Sequence, residues 1–248
     1  MRFTLLLLIT LLALSKAAYT KDIHIGIEPF PPIITEDGTG YAIDMFKAIE
    51  VISDLKFHFH IMNYARAKKE LKNDNLDLIG LTPKGYETAD FYGYAEDIDW
   101  GVSAKVDLFT LNTKHFNIDS LPEQSIGTLR GNADFFSELL NIPRNKFIEV
   151  SSLPQLIQML ALKRLDVITF ERASTMTTLE KFKVRDVFYQ NVAKIPASFA
   201  VRNNKAGKEL KATLDKYLTQ IKSNYYFTAY FHYQKMKDAG KVSIPDDE

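Results

Sequence analysis

The sequence predicts an α/β protein made of two similar units joined without a tether. Three observations carry that prediction. Short apolar strands end in small or polar residues and run into helical stretches at 23–28, 76–83, 126–132 and 165–171. This alternation occurs in two successive series, as parallel crossover connections require. No low-complexity stretch or long Gly/Pro linker separates the series, so ordered strands must join them.

Each element follows from its pattern. Residues 23–27 alternate apolar and polar side chains and form a short strand. Pro29, Pro31 and Pro32 forbid its continuation. A turn at 36–40 leads into a helix over 41–52, where Ile43, Phe46 and Ile49 recur at helical spacing. Residues 56–62 alternate Phe57, Phe59 and Ile61 with Lys56, His58 and His60, a half-buried strand. A polar helix over 65–73 and a strand over 76–80 complete the first series, and a strand over 105–111 follows. The second series reads as a strand at 126–129, a helix over 134–140 and an extended stretch at 146–150. A helix over 153–163 and a strand over 165–170 complete it. A strand over 197–202, an amphipathic helix over 205–222 and an aromatic tail over 225–233 come last.

Two α/β units without a linker imply two lobes joined by two crossing strands, placed near 106–111 and 195–201. The expected division is a leader at 1–17, a first lobe from 18–107 and 197–248, and a second lobe from 108–196. Open α/β sheets bind ligands beyond the carboxyl ends of their strands, and clefts between lobes are favoured pockets. Topology alone therefore directs attention to the residues just after each strand.

Composition narrows the function. Residues 1–17 carry Arg2, an apolar run from Leu5 to Leu14, and the small residues Ser15 and Ala17, the pattern of a cleavable export signal. The run is too short to span a bilayer, which needs about 20 residues. Cleavage after Ala17 and a periplasmic location are the expectation. The sequence contains no cysteine, which excludes a lipid-anchored cysteine, disulfides, thiolate metal sites and cysteine nucleophiles. Without Arg2 and Lys16 the balance is 29 basic to 31 acidic side chains, so neither nucleic acid nor an anionic membrane is an expected partner. The histidines His24, His58, His60, His115 and His232 show no metal-ligand spacing in sequence. No metal and no cofactor are expected.

The ordered segments 76–90, 127–132, 156–171 and 199–233 resemble the periplasmic solute-binding proteins of family 3, the polar amino acid ABC transporter type with the type II two-lobe fold. The resemblance covers roughly 23–233. It implies a mixed sheet flanked by helices in each lobe, two hinge strands, and a ligand held between the lobes.

The resemblance also assigns residues. Glu28 and Phe30 follow the first strand, where relatives place an acidic or polar residue and a ring against the ligand; Phe30 equally suits a core cap under the proline turn. Tyr64 and Arg66 fall where relatives carry a stacking aromatic and, in one branch, an arginine; Arg66 equally suits a solvated first helical turn. After the third strand, amino-acid binders carry an arginine that grips the ligand carboxylate with two parallel hydrogen bonds. Here that segment reads Gly80-Leu81-Thr82-Pro83-Lys84-Gly85 and has no arginine. Thr82 keeps its place in the pattern, while Lys84 as a point charge, or Arg66, would substitute for the grip. Arg130, Gly131 and Asn132 match a helix start whose backbone amides face an anionic ligand group. Glu171 stands where relatives pair the ligand ammonium, although Arg172 beside it could neutralise it instead. Trp100 could wall the cleft or sit in the core.

The expected function is capture of a small polar solute, amino acid-like, by a monomer that delivers it to an ABC permease. The alternatives are a sensing module for a separate signalling partner, or a cyclohexadienyl dehydratase-like enzyme using Glu171 with Arg172 or Glu28 with Arg66. The leading reading is that the protein is not an enzyme.

Overall fold

The computed structural model describes residues 20–245. The leader and its cleavage site after Ala17 lie outside the described residues.

The first series begins with β1 (Lys21–Ile27), which ends at the proline turn, where Phe30 bridges to Ile34. Helix α1 (Tyr41–Ile52) follows and buries Ile43, Met45, Phe46 and Ile49 against the sheet. Next come β2 (Leu55–Ile61), α2 (Tyr64–Lys72) and β3 (Leu78–Pro83). Asn63 caps α2 by accepting the Arg66 N–H at 2.9 Å. A short helix α3 (Ala89–Tyr94) and strand β4 (Ala95–Asp97) precede β5 (Val102–Thr110).

The second series is β6 (Ile126–Leu129), α4 (Ala133–Leu140), β7 (Phe147–Val150), α5 (Leu153–Ala161), β8 (Val167–Glu171) and α6 (Arg172–Lys181). The chain then runs through β9 (Phe188–Arg202), α7 (Lys205–Gln220), α8 (Phe231–Lys235) and β10 (Ala239–Lys241).

Strand order is β2-β1-β3-β9-β5-β8-β6-β7, with β4 and β10 also on β9. β1 is parallel to β2 and β3, and β6 is parallel to β7 and β8, as two crossover units demand. β5 and β9 pair antiparallel from Val102–Ala197 to Thr110–Phe188 and so form a ribbon common to both groups. β9 is 15 residues long and starts nine residues before the strand expected at 197. Its first nine residues include Gln190, Asn191, Lys194 and Pro196, which hide the strand pattern. β5 supplies its register instead, with β10 pairing its first residues.

The last segment serves both groups. α7 packs on β9 and α1, whereas β10 pairs with Phe188–Gln190 beside the second series. Arg172, fully buried, fixes this tail. It donates to both carboxylate oxygens of Asp107, at 2.6 and 3.0 Å, and to the Lys237 carbonyl at 3.0 Å. Lys105 adds a bond to Asp238 at 2.7 Å.

Trp100 is a core residue rather than a cleft wall, with its ring 5.6 Å from Phe199 and 5.1 Å from Phe227. The in-register pairing of β1 with β2 gathers His24, His58 and His60 on one face, with His24 Nδ1 3.0 Å from His60 Nε2. Among the described residues, no group of three or more His, Asp or Glu is arranged to hold a metal ion.

Candidate functional site

A narrow cavity of about 50 Å³ lies where the two groups of strands face each other. From the first come Phe30, just after β1, and Thr82, in β3; from the second come Asn132, before α4, Phe170 and Glu171, at the end of β8. Phe30 and Phe170 meet across the seam with ring centroids 5.5 Å apart. These positions sit where the strand-end rule directs attention. The remaining wall is apolar and includes Phe135, Phe136, Val106 and Ile195.

Two carboxylates come from opposite sides. Glu28 is buried; its Oε1 accepts the Tyr64 N–H at 3.1 Å, and its Oε2 faces the Asn132 amide at 3.5 Å. Burial pushes its carboxyl up to about 7, against the Tyr64 and Asn132 hydrogen bonds and the Lys68 charge. Glu171 is also buried and caps α6, accepting the Ser174 N–H at 2.7 Å and the Tyr230 hydroxyl at 3.0 Å. Burial likewise raises it to about 7, although these donors favour the ionised form. Arg172 does not neutralise Glu171, because its Nε and Nη2 are committed to Asp107 and its Nη1 to carbonyls of the C-terminal tail.

Gly131 packs directly against the backbone of Ala65 on the opposite side. Its φ is +97°, and a β-carbon there would lie 2.7 Å from the Ala65 nitrogen. Only glycine meets both demands without strain. Lys68 of α2 closes the same seam by donating to the Gly131 carbonyl at 3.2 Å.

Four expected residues lie elsewhere. Tyr64 points into the core with Ala67, Leu71 and Phe91 rather than onto the cleft wall, and its hydroxyl donates to Glu87 at 2.8 Å. Arg66 is exposed on the outer face of α2, 3.7 Å from Glu70 one turn on. Lys84 donates to the Ile98 and Asp99 carbonyls, both at 2.7 Å, and so pins a loop. Arg130 is exposed.

The anion-binding helix start is also filled. Glu149 of β7 accepts the N–H groups of Gly131 and Ala133 at 2.8 and 3.1 Å, and Arg144 holds its other oxygen at 2.9 Å. Of the amides expected for a ligand, that of Gly131 is spent on Glu149, and those of Arg130 and Asn132 on the Val150 and Leu129 carbonyls at 2.9 and 3.1 Å.

Sequence reasoning did not find Phe135, Phe136, Phe170, Tyr230 or Glu149. The Phe135-Phe136 pair straddles a helix face, and only the packing shows that it borders the cavity. Tyr230 lies 59 residues beyond Glu171 and gives no local signal.

No family model matches the sequence, and no curated protein matches it. Solved structures do match in fold. A histidine kinase sensor domain with similarity to periplasmic binding proteins is 15% identical, over 89% of this chain and 99% of that one, with a TM-score of 0.68. A substrate-binding protein of an ABC uptake transporter from Streptococcus pneumoniae, with bound histidine, is 19% identical over 90% and 96%, with a TM-score of 0.69. The GluR0 ligand-binding core from Nostoc punctiforme, in complex with glutamate, is 15% identical over 85% and 98%, with a TM-score of 0.66. The chain thus has the two-lobe periplasmic binding protein-like fold, of the α/β class that its strand and helix pattern predicts.

Proposed function

We propose that this protein captures a small solute between its lobes, residues 18–107 with 197–248 on one side and 108–196 on the other. The observation that carries this reading is the shared cavity. Phe30 and Thr82 reach it from one side, and Asn132, Phe170 and Glu171 from the other. A solute that touches both sides stabilises the closed arrangement by its differential affinity for that state. The structural neighbours, a transporter binding protein and a sensor domain among them, support the same role. An ABC permease or a sensor protein would read the closed form, and the leader at 1–17 would direct the monomer to the periplasm. Among the described residues no helix is long and apolar enough to cross a membrane.

Binding without chemistry is the favoured reading. A dehydratase-like site needs a proton donor beside a carboxylate-gripping arginine. Arg172 is held by Asp107 and Arg66 lies near Glu70, so neither acid–arginine pair forms.

The test is thermal unfolding of residues 18–248 against amino acids, amines, dicarboxylates and prephenate. A solute at about 100 times its Kd adds roughly 2.7 kcal/mol to the folded state and raises Tm by several degrees. Absence of any shift across the panel contradicts capture of such solutes.

A further inference from the structure

Resting on the solute-capture reading, we infer that the solute is a small organic amine with an apolar body and no carboxylate. Three independent features of the cleft point to that chemistry.

First, both devices that would hold a ligand carboxylate are missing. No arginine follows β3, and Lys84 is tied to two backbone carbonyls away from the cavity. The start of α4 is closed by Glu149, which takes the amides of Gly131 and Ala133. Among the described residues, no lysine, arginine or histidine lines the cavity. Lys68, at the seam, is spent on the Gly131 carbonyl and on Glu87, whose carboxylate is 3.5 Å away. A carboxylate placed here would be desolvated beside Glu171 with no counter-charge, an arrangement that is strongly disfavoured.

Second, the cleft is short of positive charge. Glu171 lies in the cavity wall, and its neighbour Arg172 is already paired elsewhere. Glu28 stands behind Asn132 from the other side. A protonated amine supplies the missing counter-ion, and its N–H groups can use the remaining lone pairs of Glu171.

Third, the wall is built for an apolar body. Phe30, Phe135, Phe136 and Phe170 present rings from both sides, with Thr82 and Asn132 among the few polar groups. Aromatic faces also attract a cation directly. The present cavity, about 50 Å³, is well below the roughly 150 Å³ that holds a benzene-sized body, so the lobes must part to admit the solute and then close on it.

The test is isothermal titration of the exported protein with amine and amino acid pairs of identical body: phenethylamine against phenylalanine, and isoamylamine against leucine. At least one amine should bind at least 100-fold more tightly than its amino acid. An amino acid that binds as tightly as its amine overturns the amine assignment and leaves solute capture standing. Binding by no member of either set overturns the amine assignment, and an unresponsive wider panel contradicts solute capture as well. Glu171→Gln should weaken the amine by at least tenfold. Because Glu171 also caps α6, its melting curve is checked first; if the variant does not fold, the wild-type pairs decide alone.

Discussion

The carboxylate of Glu149 accepts the Gly131 N–H at 2.8 Å and so occupies a helix start that would otherwise face the interlobe seam. It also accepts the Ala133 N–H and is held in place by Arg144. The cap is thus an internal anion, which takes the Gly131 and Ala133 amides that an external one would use. Glu149→Ala should destabilise the protein by about 1–2 kcal/mol, the usual loss for a removed helix cap. Urea unfolding measures it; an unchanged midpoint would show that the cap contributes nothing.

Gly131 should be the most sensitive position for closure. An alanine there must adopt a positive φ and push against the Ala65 backbone. Both costs fall on the closed arrangement, and the second is absent once the lobes separate. Gly131→Ala should weaken solute binding by tenfold or more while lowering the unfolding free energy by only about 1–3 kcal/mol. Titration and urea unfolding of the same sample separate the two effects.

Stability should fall as pH rises toward neutrality. Glu28 and Glu171 are each raised from 4.5 to about 7 by burial. Between those values the folded protein keeps protons that the unfolded chain has released, so each group's contribution is greatest below pH 4.5. It is lost as pH rises through about 7, by up to about 3 kcal/mol per group. Urea midpoints for the wild type should drop from pH 5 to pH 8, and Glu171→Gln should flatten that slope. An identical slope in the variant would mean that Glu171 is not the titrating group.

The Asp107–Arg172 pair should tolerate little change. Both side chains are fully buried, and Arg172 also binds carbonyls of the C-terminal tail. Asp107→Asn removes the counter-charge and leaves the guanidinium buried, which should cost about 3–5 kcal/mol. Amide hydrogen exchange should show the loss in β10 as well as in α6.

The parts of the fold set by local pattern were legible. The helix over 41–52 falls where periodicity puts it, because it buries one regular face, and the strand over 126–129 falls on its short apolar run, buried on both faces. α6 was not foreseen. It buries Ala173, Ser174, Thr175, Met176, Thr178 and Leu179 around most of its circumference, so small and polar residues replace the usual apolar stripe. Site residues divided on the same line. Phe30, Thr82, Asn132 and Glu171 follow from strand ends, whose direction the topology dictates. Tyr64 and Arg66 lie at the start of α2, Tyr64 in the core and Arg66 on the exposed face, and a first turn gives no periodicity that would orient them in advance. Glu149 and Asp107 act on residues 18 and 65 positions away, and that pairing exists only in the fold.

Solute-driven closure is tested most directly by the distance between the lobes. The sequence has no cysteine, so Val51→Cys and Leu162→Cys place two unique labels at exposed ends of α1 and α5. Energy transfer between them, followed during titration with the amines, should show a solute-dependent shift to one shorter distance, saturating with the binding isotherm. A solute that binds without changing that distance would contradict capture by lobe closure.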